Sequence, residues 1–342
     1  MPKRDHPLHG LLVVDKPGQL AAASTGIAAV AAPQPPLQRP APNDTRLPTS
    51  HDIVQMVRRW SGQRQIGHTG TLDPMASGVL VLCLGNATRL VEYYQGHPKQ
   101  YYAEIVLGSA TDTYDATGEI SATAPVLPLE PAHIEAALEK FRGSILQMPP
   151  VYSALKQGGE SLHHKARRGE DVTITPRPVT FYQLDLVGYS APDRICLRAL
   201  CSAGTYIRSL AYDLGLALQT LGHLAVLRRE AAGQFTLAEA HSLTEIESLA
   251  RQTRLAEILL PLGYGLEMAA LPLDDEQVRR FGHGQTVRVA GSAALDPPLA
   301  GALAQGTDAN GVCVGILRCL GPALAAEAGF VWKTEKWFAQ SN

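Results

Sequence analysis

The sequence predicts an α+β fold carrying a small β-rich C-terminal appendage. Short segments with a two-residue apolar period alternate with segments of helical period up to about residue 265. Past Leu271 the chain turns richer in glycine, its apolar runs shorten, and no long helical period persists. At 342 residues the chain is long enough for a sizeable core and about two domains.

Residues 8–14 read as a short buried strand ending at Asp15-Lys16-Pro17-Gly18. Residues 19–48 are rich in alanine and proline with few large apolar side chains, so they are expected to form a loop-like insertion. Ser50 is placed to cap a helix whose apolar face is Ile53, Val54, Val57 and Trp60. Residues 79–84 form a strand-like apolar run, and Asn86 is expected to cap a helix carrying Leu90, Val91 and Tyr94. Tyr101, Ala103, Ile105 and Leu107 alternate along one strand face. A helix over 131–142, stopped by Gly143, puts Ile134, Leu138 and Phe141 in register. Strands follow at 179–187 and 195–201, and a helix begins near Thr205 with Ile207, Leu210, Ala211 and Leu214 at helical spacing. Ser242 and Glu245 have capping-box spacing, and the segments 286–289 and 312–317 suit short C-terminal strands.

Composition narrows the class. The formal net charge is −2, whereas a strongly basic domain is the usual electrostatic footprint of a nucleic-acid binder, so any RNA contact must come from local basic segments. The most apolar runs, such as 79–84 and 255–262, are too short to span a bilayer, and no signal-like run follows the first residues. A cytoplasmic protein without membrane contact is expected. Five cysteines form no C-x-x-C pair and no zinc-spaced cluster, which predicts buried reduced thiols and no metal site.

Chemistry concentrates in Gly67-His68-Thr69-Gly70-Thr71-Leu72-Asp73-Pro74-Met75-Ala76-Ser77-Gly78. Glycines on either side and Pro74 behind it can hold the short Asp73 carboxylate rigidly at the floor of a cleft. Local chemistry alone equally allows a tight turn in which Asp73 caps an amide. Two further segments stand out, Cys201-Ser-Ala-Gly-Thr-Tyr206-Ile-Arg208 and Lys99-Gln-Tyr101, together with Val226-Leu227-Arg-Arg.

These motifs, in this order, resemble those of the TruB-type tRNA pseudouridine-55 synthases. The resemblance implies a catalytic domain over 1–265, built on a long mixed, mainly antiparallel sheet with flanking helices, and a PUA-like β-domain over 266–342. It implies that the T-loop uridine of tRNA is flipped out and isomerised to pseudouridine without a cofactor. Asp73 is then the catalytic carboxylate, Arg208 its ion-pair partner and Tyr206 the proton-relay group. Tyr101 is the stacking platform for the uracil, and Leu227 lines its pocket. His68 assists eversion of the nucleotide, and Lys16 supports the active-site loops. Two routes stay open for Asp73, covalent addition to the nucleoside or abstraction of a sugar proton.

The resemblance extends to about 149–178, where Pro149-Pro-Val-Tyr-Ser-Ala-Leu-Lys156 leads into a basic stretch with five Lys/Arg against three Asp/Glu between 156 and 177. In the family this region is a thumb that closes on the T-arm of tRNA, and phosphate contact there would depend strongly on salt. A monomer is expected. One departure is plain: the family runs D-K-P directly into T-S, whereas here the 19–48 insertion separates Asp15-Lys16-Pro17 from Thr49-Ser50. A glycosidase is the competing enzyme class, but most glycosidases deploy paired carboxylates and only Asp73 sits in a recognisable motif.

Overall fold

The computed structural model describes residues 7–19, 47–153, 156–157, 160–161, 168, 174–290, 298–323 and 329–338. Most of the expected insertion (20–46) and much of the expected thumb therefore lie outside the described residues.

Strand β1 (Gly10–Lys16) leads to helix α1 (Ser50–Ser61), the short β2 (Ile66–His68) and β3 (Ser77–Leu84). After helix α2 (Val91–Gln95) come β4 (Lys99–Leu107), the hairpin β5 (Ser109–Thr111) and β6 (Ile120–Thr123), and helix α3 (Pro131–Leu138). Then follow β7 (Gly143–Gln147), the small pair β8 (Lys156–Gln157) and β9 (Glu160–Ser161), and the long β10 (Arg177–Ser190) and β11 (Arg194–Cys201). Helix α4 (Ile207–Ala217), β12 (Gly222–Ala232), β13 (Phe235–Thr236) and helix α5 (Leu243–Arg251) complete the larger unit. The remainder holds β14 (Ala269–Pro272), helix α6 (Asp275–Gly282), β15 (Val287–Val289), β16 (Leu303–Thr307), β17 (Cys313–Pro322) and β18 (Phe330–Trp337).

The large sheet runs β1-β3-β12-β4-β11-β10-β7, with β2 added on β3 and β13 on β12. Its pairings are antiparallel except β3 with β12, which meet in parallel over only Ser77–Arg228 and Gly78–Arg229. This makes the fold α+β with a mixed, mainly antiparallel sheet. The sequence patterns follow from what covers each face. In β1 and β3, Leu12, Val14, Leu80 and Leu82 enter the main core, while Leu11, Val13, Val79 and Val81 enter a second core shared with Leu266, Cys313 and Ile316 of the C-terminal part. Both faces are covered, so these strands read as unbroken apolar runs. In β4 only one face is covered: Ala103, Ile105 and Leu107 are buried, while Glu104 on the other face pairs with Arg194 at 2.8 Å.

The C-terminal sheet has the order β14-β16-β17-β18-β15 and its own core around Trp332, Phe281 and Leu317. It is tied to α2 and the turn before it by Lys336–Glu92 at 2.8 Å and by Asn86 Nδ2, which donates to the Phe338 carbonyl at 3.1 Å.

Four local expectations are corrected. The cap of α1 is Thr49, whose hydroxyl and Asp52 carboxylate form a reciprocal box, and Ser50 is the first helical residue. Asn86 caps nothing; the 3₁₀ turn Gly85–Leu90 precedes α2, and its amide is spent on Phe338. Helix α3 ends at Leu138 and passes into a 3₁₀ turn, Glu139–Phe141. Ser242 does accept from the Glu245 amide, but the Glu245 carboxylate turns to His241 Nδ1 at 3.0 Å instead of closing the box. The five cysteines are unpaired, four buried and Cys196 half-buried beside Tyr102.

Candidate active site

Asp73 lies on the loop between β2 and β3, over the place where β3 and β12 barely pair. Interactions from several distant elements hold that loop. Ser50 Oγ accepts from the Leu72 amide at 2.8 Å and donates to the Leu72 carbonyl at 3.1 Å. Fully buried Lys16 donates its three ammonium protons to Pro17, Pro74 and Ala76 carbonyls at 3.0, 2.9 and 2.7 Å. Arg229, also buried, donates to the Val79 carbonyl at 2.6 Å and to Gly70 at 3.1 Å.

Two glycines are required by close approach. A Cβ on Gly18 would lie 2.5 Å from the Met75 carbonyl oxygen. Gly78 has φ +98°, and its Cβ would come within 2.2 Å of the Arg229 carbonyl oxygen.

Arg208 enters from the first turn of α4 and pairs with the Asp73 carboxylate through one hydrogen bond and one close ionic approach. Its Nη2 donates to Asp73 Oδ1 at 3.0 Å, and its Nε lies 2.9 Å from Oδ2. Nε also stands 3.7 Å from Asp115 Oδ2, while the Nη atoms donate to the Thr113 carbonyl at 3.1 Å and to the Tyr152 carbonyl at 3.2 Å. The Arg208 side chain is 6% exposed and that of Asp73 is 30% exposed, so the cation is sealed while the carboxylate faces the cleft. Burial pushes the Asp73 carboxyl above the ordinary carboxylate range; Arg208 is the main opposing influence, Asp115 adds to the rise, and Lys16 opposes it.

The cleft is a cavity of about 920 Å³, within the size range of small-ligand sites. Asp73, Tyr101, Tyr206, Arg208 and Leu227 all line it. Tyr101 on β4 is directly across the ladder from Arg229, and Leu227 is across from Ala103. The Tyr206 main chain is clamped by Gln147, which accepts from its amide at 2.8 Å and donates to its carbonyl at 3.0 Å. Burial raises both phenols' affinity for their protons. Five of the seven residues singled out in sequence thus meet in one cavity.

The other two do not line it. Lys16 lies under the Asp73 loop, and burial lowers its ammonium to about 8. His68 precedes the lining residue Thr69 but does not itself line the cavity; burial, with Arg229 and His51 nearby, pushes its imidazole down. Among the described residues no three His, Cys, Asp or Glu side chains gather as metal ligands would.

Sequence reasoning missed Asp115, Arg229, Ser50 and Gln147. Only Arg229 left a usable trace: it lies two residues after Leu227 on one strand, hence on the same face. Asp115 is recruited by the Thr113 and Thr117 hydroxyls, which no apolar period reports. Chemically, the site offers the Asp73 carboxylate, paired with a buried arginine, between two phenols and an apolar wall, with Asp112, Asp115 and Glu119 also lining the cavity. It suits attack on, or deprotonation of, a planar group stacked on Tyr101.

Residues 58–207 match the model of the TruB family pseudouridylate synthase (N terminal domain), and residues 208–267 match the tRNA pseudouridylate synthase B C-terminal domain. The chain is 41% identical over 284 residues to tRNA pseudouridine synthase B of Xanthomonas campestris pv. campestris (strain B100), covering 82% of this chain and 83% of that one. It is 38% identical over 240 residues to the protein of the same name from Caldanaerobacter subterraneus subsp. tengcongensis, covering 70% and 82%. Among solved structures, a chain of an H/ACA RNP bound to a substrate RNA containing 2'-deoxyuridine superposes with a TM-score of 0.67. At 21% identity over 98% of this chain and 86% of that chain, this likeness concerns the fold alone.

Proposed function

The chain belongs to the TruB family of pseudouridylate synthases, and from that premise we propose that Asp73, Arg208 and Tyr206 convert the T-loop uridine of tRNA, position 55, into pseudouridine. The protein is a tRNA pseudouridine synthase, an isomerase. The reaction breaks the C1′–N1 bond, turns the uracil, and joins C5 to the same C1′. The C5 proton then leaves and N1 takes up a proton, so the product is an isomer and nothing is oxidised or reduced.

The observation that carries the assignment of roles is the geometry of Asp73, hydrogen-bonded and ion-paired to a sealed arginine and open to the cleft. Addition to the nucleoside and removal of a sugar proton both begin at that carboxylate. Tyr101 presents a face on which the extruded uracil stacks, a contact worth about 1–3 kcal/mol. Leu227 closes the apolar side of the pocket. Tyr206 is the relay for the C5 proton in this reading, passing on its own phenolic proton as it receives that one, and its place beside Asp73 and Arg208 supports the role. His68 acts in everting the nucleotide, and Lys16 holds the loop through the carbonyls of Pro74 and Ala76.

Residues 1–265 are read as the catalytic domain, about 149–178 as the thumb that contacts the T-arm, and 266–342 as a PUA-like domain. A monomer acting on the T-arm of tRNA completes this reading. No helix among the described residues is long and apolar enough to cross a membrane, and action on tRNA suits the cytoplasm.

The test is tritium release from tRNA labelled at uridine C5, with the product position mapped. The wild-type chain releases tritium and modifies the T-loop uridine. Asp73→Asn falls to background while still binding tRNA. Equal release from the two proteins, or free uracil as the product, would overturn the assignment.

A further inference from the structure

Arg208 is held from one side by a turn that approaches it twice. Thr113 supplies a carbonyl and Asp115 a carboxylate, and Tyr114 lies between them. Asp115 Oδ1 is already occupied by Thr113 Oγ1 and the Thr117 amide at 2.9 Å each and by Thr117 Oγ1 at 2.5 Å. Oδ2 is therefore the oxygen left for the guanidinium.

Two groups separated by one residue both face Arg208 because Tyr114 has φ +62°, a left-handed conformation that bulky side chains rarely adopt. Such a residue persists only where its surroundings over-determine it. Here its carbonyl accepts from the Leu224 amide at 3.0 Å, and its amide donates to Thr111 at 3.2 Å. Its ring stacks on Tyr212, centroids 4.3 Å apart and planes 13° from parallel. Tyr212 is four residues after Arg208 on α4, hence on the same helical face. Neither ring lines the cavity.

We propose that the Tyr114–Tyr212 stack is a positioning device that locks the Thr113–Asp115 turn onto α4 and so holds the Arg208 guanidinium against Asp73. The inference rests on the reading of Asp73 as the reacting carboxylate. The two tyrosines touch neither substrate nor reacting atoms; they act through Arg208.

Three variants test it. Tyr212→Ala removes the stack, Tyr212→Phe keeps it, and Tyr114→Gly removes the ring while relieving the left-handed strain. An aligned aromatic pair of this kind corresponds to roughly a three- to ten-fold effect. The single-turnover rate constant should fall by that factor in Tyr212→Ala and Tyr114→Gly, with tRNA affinity within about two-fold of wild type. Tyr212→Phe should match wild type.

The groups facing Asp73 are Arg208, Asp115, Lys16, Tyr101 and Tyr206, and the stack reaches only the first two. The acid limb of the rate profile should therefore move to higher pH in the two stack-less variants alone. A second readout needs no turnover: the Arg208 Nε–H signal in spectra of arginine labelled with ¹⁵N, assigned with Arg208→Lys. It should persist in wild type and Tyr212→Phe and broaden in Tyr212→Ala. An unchanged signal in Tyr212→Ala, a wild-type rate in that variant, or equal losses in Tyr212→Phe would each overturn the proposal. An inactive wild type would instead refute the functional reading, and the Arg208 signal would still decide this one.

Discussion

Arg208→Lys keeps the positive charge opposite Asp73 and removes only the fork. The guanidinium meets Asp73 on both oxygens, at 3.0 and 2.9 Å, while also serving Thr113, Tyr152 and Asp115. An ammonium is a point charge on a flexible stem and cannot span both carboxylate oxygens and the two carbonyls. Loss of one charge-assisted hydrogen bond to Asp73 costs about 1.5–3 kcal/mol. That corresponds to roughly one to two pKa units, upward, because Arg208 is the main influence opposing the rise that burial imposes on Asp73.

The sign follows directly. The chemistry requires ionised Asp73, and activity disappears as pH falls through its pKa. A higher pKa moves the acid limb to higher pH. If the lost contact is expressed in the transition state, the single-turnover rate falls by roughly 10- to 150-fold at neutral pH. The assay is tritium release from C5-labelled tRNA in enzyme excess, run from mildly acidic to mildly alkaline pH. A wild-type rate with an unmoved acid limb, or a limb displaced toward lower pH, would refute the reasoning. Methionine is the poorer probe, since stripping one partner from a buried ion pair costs about 3–5 kcal/mol of stability and mixes folding with catalysis.

Lys16→Met probes the buried ammonium under the loop. Burial lowers Lys16 to about 8 from 10.5, so between those values the native state binds fewer protons than the unfolded chain, and wild-type stability should rise with pH. The full rise is worth about 3 kcal/mol and should be missing from Lys16→Met in denaturant titrations compared across that window; parallel curves would sink the idea. Ser50→Ala strips both hydrogen bonds from Leu72, leaving a buried amide and carbonyl unpaired at a cost of about 1–3 kcal/mol. Its unfolding midpoint and its single-turnover rate should fall together, because Leu72 immediately precedes Asp73; an unchanged midpoint would count against the loop-anchoring role.

Much of this molecule is visible in local patterning, and the misses share a cause. The alternation of Ala103, Ile105 and Leu107 reports a strand with one face covered, and the unbroken run in β3 reports a strand covered on both. Thr49 and Ser50 are equally good caps by residue type. What separates them is Leu72, 22 residues away, which engages the Ser50 hydroxyl. Asn86 fails as a cap for the same reason, its amide being drawn to Phe338 across the interface with the C-terminal sheet.

By itself the sequence determined the α+β class, the strand and helix periods, and the motifs around Asp73, Tyr101, Tyr206, Arg208 and Leu227. Each of these depends on spacing within a few residues. Only the tertiary structure decided which charges meet: that Arg208 reaches Asp73 across 135 positions, that Asp115 shares it, and that Lys16 and Arg229 hold the carbonyls of the loop. Periodicity reports which face a side chain occupies, whereas an ion pair or a hydrogen bond depends on distances of about 3 Å between atoms. Those distances arise only when the strands have paired and the helices have packed.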